Sequence, residues 1–162
     1  MGFLCHSFIR TIEQPSIYIT EDFHLYWNEF STGVEMKLKI MHKIYHLSTC
    51  DTCQRIMKEL QPLDGFTLQD IKTEAITQAQ LEEMHALTGS YEALFSKRAR
   101  LFRQQGLHEK NLSEADFKKL ILEHYTFLKR PVILVRDQIF IGNSKKVVAA
   151  AKEAIQKWVR ER

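Results

Sequence analysis

Residues 44–60, IYHLSTCDTCQRIMKEL, place two cysteines at the junction between a predicted strand and a predicted helix. The apolar run 44–47 indicates a short buried strand, and residues 52–60 repeat apolar side chains at the spacing of one helix face. Cys50 and Cys53 are separated by two residues at this junction. A Cys-x-x-Cys between a strand and a helix is the sequence form of a thiol–disulfide redox site. The junction therefore predicts redox chemistry on an α/β fold.

The two thiols are predicted to have different roles. Residues three apart on a helix share one face, so Cys50 and Cys53 can come within disulfide range. Cys50 would lie at the helix N-terminus, where unpaired N–H groups and the helix dipole stabilise a thiolate, the reactive form. We therefore predict that Cys50 is the nucleophile and Cys53 the resolving thiol. The adjacent carboxylate of Asp51 opposes this, because a nearby negative charge makes a thiolate harder to form.

Two other interpretations of the cysteine pair stay open. A structural zinc ion needs four ligands, and Cys5 is the only further thiol in the chain. His46 is close in sequence but belongs to the predicted strand, where a single histidine is usually packed. The pair could also be inert, because free cysteines often behave as small core hydrophobes. We predict no bound metal and assign Cys5 no role.

The composition is that of an ordinary soluble globular protein, with 162 residues of which 44% are apolar and 27% are charged. This length suits one domain. No run approaches the roughly 18 apolar residues that a membrane helix needs, and the first ten residues make a poor signal peptide. Three cysteines, two of them in the close pair, are not the framework of a secreted domain. We expect a cytoplasmic monomer without membrane contact.

The charge is unevenly distributed along the chain. The 23 basic and 20 acidic side chains give a net charge of +3. Residues 1–40 hold 3 of the basic and 5 of the acidic ones, which leaves 20 basic and 15 acidic for the remainder. This mild excess tolerates an anionic partner and does not indicate direct binding of nucleic acid.

Residues 1–40 are rich in aromatic side chains but show no sustained helical period. Met36 and Met41 both stand just ahead of the first predicted strand, and either would be a sensible start for a compact domain. We predict that 1–40 is an N-terminal extension outside the core fold and that 41–162 is the domain. The rival interpretation is an added hairpin or tail that covers apolar surface.

The remaining elements follow the order β-α-β, helices, β-β-α. A second strand after the first helix predicts a parallel crossover, and two apolar runs around a turn predict an antiparallel hairpin. The predicted strands are one within 65–72, followed by 132–135 and 138–141. The predicted helices are 77–87, 91–105 with a candidate break near Ser96, 113–125, and a final helix that Asn143 or Ser144 caps and that ends near Trp158.

Two groups of basic residues are candidates for the site. The run 97–103 holds four positive charges. It is either a solvated helix face or a site for an oxyanion or a glutathione carboxylate. Arg130 directly precedes Pro131 and a predicted strand, and a residue before proline is restricted to extended backbone. A cis Pro131 at this strand entry would place Arg130 near the thiols.

Three motifs together resemble the glutaredoxin-coupled arsenate reductase family, which includes the Spx-type regulators. They are KIYHLSTCDTCQR, ALFSKRARLFRQQGL and LKRPVILVRDQIFIG, followed by a terminal helix, and they cover essentially 41–155 in the family's order and spacing. The resemblance implies an α/β, thioredoxin-like fold: a βαβ unit, a helical insertion and a ββα unit on a mixed sheet. Residues 1–40 lie outside it.

The resemblance also implies roles for individual residues. In the arsenate reductases of this family, the first cysteine attacks the oxyanion and three arginines bind it. Cys50 matches that cysteine, and Arg130 with a cis Pro131 matches the Arg-Pro motif. Ser96 stands in register with the central arginine, whereas Arg98 looks like the arginine of the Spx-type branch.

The third arginine of the reductases is matched by Ile141 or Gly142, and reductases of this type usually lack the second cysteine. The predicted function is therefore a thiol–disulfide oxidoreductase, with Cys50, Cys53 and Arg130 as catalytic residues and Arg98 and Pro131 at the substrate. No cofactor is expected to be bound. Glutathione, glutaredoxin or a thioredoxin-type protein would be the reductant, and the substrate would be a small anion. The alternative is an Spx-type redox switch that binds RNA polymerase.

Overall fold

The computed structural model describes residues 42–162, which form a mixed four-stranded sheet in the order β2-β1-β3-β4. Strand β1 runs parallel to β2 and antiparallel to β3, and β3 and β4 form an antiparallel hairpin. The predicted N-terminal extension and Cys5 lie outside the described residues. The strands are β1 (His42–His46), β2 (Thr67–Asp70), β3 (Val132–Val135) and β4 (Gln138–Ile141).

The helices fall in the predicted order, with the insertion between β2 and β3. None of those in 42–162 is long and apolar enough to cross a membrane. The helices are α1 (Asp51–Glu59), α2 (Gln78–Thr88), α3 (Tyr91–Leu94), α4 (Arg100–Gln104), α5 (Glu114–Glu123) and α6 (Lys145–Arg160), with single 3-10 turns at Leu107–Glu109 and Tyr125–Phe127.

The sheet separates two hydrophobic clusters, because successive side chains of a strand point to opposite faces. Ile44 packs with α1 and α6 on one face, and Tyr45 packs with the helical insertion on the other. Strand β3 alternates in the same way and is buried throughout. The second cluster includes Ile56 and Leu60 from α1 and Val148, Ala151, Ile155 and Trp158 from α6.

The register of the sheet brings the ends of three strands to one edge. Tyr45 pairs with Val132, and Val132 pairs with Ile141. Because β1 and β3 are antiparallel, the end of β1 lies beside the start of β3, and β4 ends at the same level. The segments that follow β1 and β4 and precede β3 therefore meet at this edge.

The predicted helix 91–105 is broken near Ser96, where the sequence offered a break. It consists of α3 and α4, and between them Phe95 forms an antiparallel bridge with Leu128. The N–H of Ser96 donates to the Phe127 carbonyl at 2.7 Å, and Phe95 stacks on the Phe127 ring at 5.2 Å between centroids. These tertiary contacts compensate the helical hydrogen bonds that are lost at the break.

Strand β2 also differs from its predicted pattern. Leu68, a predicted inward position, is 48% exposed, whereas Gln69 is only 1% exposed. The strand is at the sheet edge, where the face that carries Leu68 is only partly covered. The Gln69 amide is tolerated inside because it exchanges hydrogen bonds with the Gln80 side chain and donates to the Glu74 carbonyl at 3.1 Å.

Helix α2 buries Leu81 and Met84 completely, but Leu87, predicted on the same face, is 40% exposed. Leu87 lies in the last turn, just before Gly89 ends the helix with a φ of +72°. Glycine adopts this left-handed conformation without steric cost. The chain therefore turns away before the last turn of α2 can pack.

Caps define three helix starts that the sequence predicts. A capping box joins Thr77 and Gln80 at α2, and a second box joins Ser113 and Asp116 at α5. At α6 it is Ser144 that accepts from the N–H of Val147. Each cap satisfies N–H groups that have no partner within the helix.

Helix α3 is held by a carboxylate from another helix. Glu114, the first residue of α5, accepts hydrogen bonds from the Ser90 hydroxyl at 2.9 Å and from the N–H groups of Tyr91 and Glu92. A negative charge at a helix N-terminus is stabilising. Burial alone would raise the pKa of Glu114, but the Tyr91 N–H, the Ser90 hydroxyl and the Glu92 N–H outweigh it and lower that pKa.

Replacing Glu114 with alanine should reduce the free energy of unfolding by about 0.5–1 kcal/mol, because α3 loses a cap that solvent partly screens. The contribution of the Glu114 carboxylate to the free energy of unfolding should be fully present above pH 4.5, the ordinary pKa of a glutamate side chain. It should disappear as the pH falls through the lower pKa that Glu114 has in the folded protein. Urea denaturation at several pH values measures it. Glu123→Ala, an exposed change in the last turn of α5, is the control, and an equal loss in both variants would contradict the capping role.

Candidate active site

Cys50 is the N-cap residue of α1 and is partly exposed, whereas Cys53 is 1% exposed one turn further along the helix. The Cys50 N–H donates to the Leu47 carbonyl at 3.1 Å, and the Gln54 N–H donates to the Cys50 carbonyl at 3.0 Å. The first bond closes the turn between β1 and α1, and the second starts the helix. The cysteine that is predicted as nucleophile is therefore the accessible one.

The surroundings move the pKa values of the two thiols in opposite directions. Burial alone would raise the pKa of Cys50, but contacts from the Cys53 N–H and thiol, the Thr52 N–H and the Arg130 charge lower it overall. For Cys53, burial is the main cause that raises the pKa to about 11, and the neighbouring Cys50 adds to it. The pair therefore combines a thiol that ionises more readily than a free cysteine with a thiol that stays protonated at neutral pH.

Arg130 reaches the thiols from the start of β3. Its side chain is partly buried, and Nη1 is inaccessible to solvent and has no hydrogen-bond partner among the described residues. The peptide between Arg130 and Pro131 is cis. Pro131 is buried and its carbonyl accepts from the Gly142 N–H at 2.9 Å, which ties the Arg130 segment to the end of β4. Pro131 does not itself line the cavity described next.

An open cavity of about 810 Å³ brings the predicted site residues together. Cys50, Arg98 and Arg130 all line it, although they are far apart in the sequence. Cys53 is buried behind Cys50 and is not part of the wall. The other lining residues are Thr52, Ser90, Glu92, Ala93, Phe95, Ser96, Lys97, Lys129, Ile141, Gly142, Asn143 and Ser144.

The cavity is positively charged. Four cationic side chains contribute to its wall: Lys97, Arg98, Lys129 and Arg130. Within 42–162, only Lys97 among them has a carboxylate partner, Glu92 at 2.6 Å. The N-termini of α1 and α6 add partial positive charge at Thr52 and Ser144. Such a wall attracts an anion to the Cys50 thiol.

The bridge between Phe95 and Leu128 joins the segment that leads to Arg98 with the segment that leads to Arg130. The Lys129 N–H donates to the Leu94 carbonyl at 2.8 Å, and the Lys129 ammonium donates to the Ala93 carbonyl at 2.8 Å. The break in the predicted helix thus turns the chain so that Ser96 to Arg98 face the cavity.

Sequence reasoning missed Lys129 and the wall from Asn143 to Ser144. A lysine next to Arg130 in the run LKRPV was the available signal for Lys129. Asn143 and Ser144 carry no local sign of a site beyond the predicted cap, and only the sheet register brings them to Cys50. Ile141 and Gly142, at the positions matched to a third arginine, do lie on the wall but bring no charge.

A metal site finds no support in the described part of the chain. No group of three or more histidine, cysteine, aspartate or glutamate side chains in 42–162 is arranged to hold an ion. His46 belongs to β1, as predicted, and does not line the cavity.

The mixed sheet and the cysteine pair at the start of α1 define an α/β protein with a thioredoxin-like fold, which confirms the predicted fold class. A sequence profile described as the ArsC family matches residues 45–151. The chain belongs to the ArsC family.

Individual relatives agree with this membership. The Global transcriptional regulator Spx 2 of Bacillus anthracis is 28% identical over 102 residues, which cover 61% of this chain and 77% of that protein. An ArsC family related protein from Bacteroides fragilis superposes with a TM-score of 0.59 at 19% identity, covering 70% of this chain and 99% of the other. Arsenate reductase from Vibrio cholerae gives 0.58 at 16% identity, covering 68% and 98%. The two structures share the fold.

Iodoacetamide should label Cys50 at neutral pH and leave Cys53 unlabelled. Of these two thiols, Cys50 has the lowered pKa and is accessible, whereas Cys53 is buried and has a raised pKa. Tandem mass spectrometry of the peptide that contains both cysteines distinguishes them. Arg130→Ala should shift the pH–rate profile of Cys50 to higher pH and slow labelling severalfold at pH 7, because the guanidinium no longer stabilises the thiolate. Arg130→Lys should restore much of the rate.

Arg55→Ala removes an exposed cation elsewhere on α1 and is the matched control. Equal labelling of the two cysteines, or an unchanged profile in Arg130→Ala, would contradict the assigned electrostatics.

Proposed function

We propose that the protein is a thiol–disulfide oxidoreductase in which Cys50 is the nucleophile and Cys53 the resolving thiol. The observation that carries this proposal is the placement of the pair: Cys50 is accessible at the N-terminus of α1, and Cys53 is 1% exposed one turn further along the helix. The pKa of Cys50 is lowered and that of Cys53 is raised, which agrees with these roles. Membership of the ArsC family supports a thiol oxidoreductase type of function. The active domain would be 41–162, and 1–40 would be an extension that takes no part in the chemistry.

The proposed reaction consists of two exchanges. The Cys50 thiolate attacks one sulfur of a substrate disulfide, forms a mixed disulfide and releases the other half as a thiolate. Cys53 then loses its proton and attacks Cys50 Sγ, which forms the Cys50–Cys53 disulfide and releases the second thiolate. Two electrons pass from the protein to the substrate. An external dithiol of the glutaredoxin or thioredoxin type, or glutathione, returns them in a reducing cytoplasm.

The basic wall would assist both exchanges. Arg130 lowers the pKa of Cys50, and its unpartnered Nη1 is available to an anionic group of the substrate. Arg98, which lines the same cavity, would hold the same group. Pro131 would act by position, since its carbonyl anchors the Arg130 segment to Gly142.

An organic disulfide suits this cavity better than arsenate. A volume of about 810 Å³ is within the range of about 300–1,000 Å³ that accommodates organic ligands. Ile141 and Gly142 contribute no charge to the wall of the cavity. A cation at either position would favour a compact oxyanion such as arsenate. The buried Cys53 also gives the mixed disulfide a resolving thiol within the protein.

Mixing the reduced protein with glutathione disulfide should produce a Cys50–Cys53 disulfide in the wild type. Cys53→Ser should stop at a Cys50–glutathione mixed disulfide, because no resolving thiol is present. Cys50→Ser should slow the exchange by at least about a hundredfold. Acid quenching followed by mass spectrometry identifies the products.

A wild type that accumulates only the glutathione adduct would disprove the role of Cys53. In a parallel assay with arsenate, glutathione and glutaredoxin, turnover that survives Cys53→Ser and not Cys50→Ser would replace the dithiol scheme with monothiol arsenate chemistry.

A second candidate function is a redox-switched regulator that binds RNA polymerase. The similarity to Spx 2 favours it, together with the position of Arg98 on the cavity wall beside a Cys-x-x-Cys. A pull-down of RNA polymerase with the reduced and the oxidised protein tests it. Binding that changes with the redox state would support the regulator, and binding in neither state would eliminate it.

A further inference from the structure

Three arginines, at and just after the end of the cavity-lining segment 95–98, have no anionic partner in the part of the chain that the structure describes. Arg98, Arg100 and Arg103 are exposed, and none of them is within ion-pair distance of a carboxylate in 42–162. We call these three residues the α4 basic patch. Lys97, in the same stretch, differs because Glu92 neutralises it.

The patch is not explained by the stability of α4. Arg100 is the first residue of that helix, where a positive charge opposes the helix dipole. Ala99 provides no side-chain cap, and the first turn contains no acidic residue. Arg103, in the last turn, is the only member of the patch at a position that the dipole favours. The helix therefore carries Arg100 at a small cost.

Only one member of the patch belongs to the cavity that contains Cys50. Arg98 lines it, whereas Arg100 and Arg103, which follow Arg98 closely in the chain, are exposed outside its wall. These two are three residues apart on one helix, so they share a face that the solvent reaches. A small ion bound beside Cys50 would contact Arg98 and leave the other two arginines unused. A ligand that engages all three must extend across the protein surface.

We propose that the α4 basic patch docks an acidic protein segment that presents a disulfide to Cys50. The inference rests on the proposed thiol–disulfide exchange and defines its substrate as a macromolecule. Complementary charge at the rim of a site mainly accelerates encounter and makes the rate dependent on salt. Three cations are too few for nucleic acid, whose binding proteins commonly make about 6–10 phosphate contacts.

Two peptides of equal length, one rich in glutamate and one rich in lysine, test the proposal. Each carries a single cysteine in a mixed disulfide with nitrothiobenzoate. The Cys50 thiolate attacks the peptide sulfur and releases the coloured nitrothiobenzoate anion, whose absorbance gives the rate. At low salt the acidic peptide should react roughly threefold to tenfold faster than the basic one, and high salt should remove the difference.

The double variant Arg100→Gln, Arg103→Gln should react with the acidic peptide at low salt no faster than with the basic peptide. This variant retains the cysteines and the residues of the cavity wall. The matched control is Lys157→Gln, Arg160→Gln, which removes two exposed cations at the same spacing from the last turn of α6. That turn lies about 20 Å along the helix from Ser144 at the cavity. The control should react like the wild type.

The outcomes separate the docking proposal from the proposed function. Equal rates for the two peptides in the wild type, or an equal loss in the control variant, would overturn the docking role and leave the exchange chemistry intact. Colour release from neither peptide would overturn the exchange chemistry.

Docking is also measured without chemistry, by fluorescence anisotropy of the acidic peptide with serine in place of cysteine. Weaker binding to the Arg100→Gln, Arg103→Gln variant than to the control supports the patch. A single-stranded oligonucleotide that binds more tightly than the acidic peptide would assign the patch to nucleic acid and overturn the proposal.

Discussion

The antiparallel pairing of β1 with β3 is the constraint on which the rest of the site depends. It sets the end of β1 beside the start of β3, so the turn that carries Cys50 meets the segment that carries Arg130. Strand β3 is buried on both faces and pairs with β1 on one side and β4 on the other, which holds it in the middle of the sheet. The electrostatics of the thiols thus follow from the packing of the core.

A second constraint shapes the other side of the cavity. The hydrogen bonds around Phe95 and Leu128 hold the insertion against the segment before Arg130. In the aromatic core, the rings of Phe117 and Phe127 lie 4.9 and 5.2 Å from the Phe95 ring. Since Arg98 and Arg130 line one cavity, two like charges share one cleft. Their mutual repulsion is relieved when an anion or a thiolate lies between them.

The sequence predicts the local parts of this arrangement well and the assembled parts poorly. The hairpin strands and the caps at Thr77, Ser113 and Ser144 depend on neighbouring residues, and their prediction is confirmed. Gln69 was beyond prediction, because its burial requires a partner amide on α2. The same holds for the membership of Lys129 and Ser144 in the cavity wall, which needs the register of the sheet.

Solvent exposure explains why the negative charge of Asp51 does little to destabilise the Cys50 thiolate. Its carboxylate is exposed at the first position of α1, where water screens the field that it exerts on the sulfur. Arg130 and the N–H groups of Thr52 and Cys53 act from the protein side, where screening is weaker. The same burial raises the pKa of Cys53 and favours its protonated form. In the proposed scheme, this one environment would set the order of the two exchanges, with attack by Cys50 before resolution by Cys53.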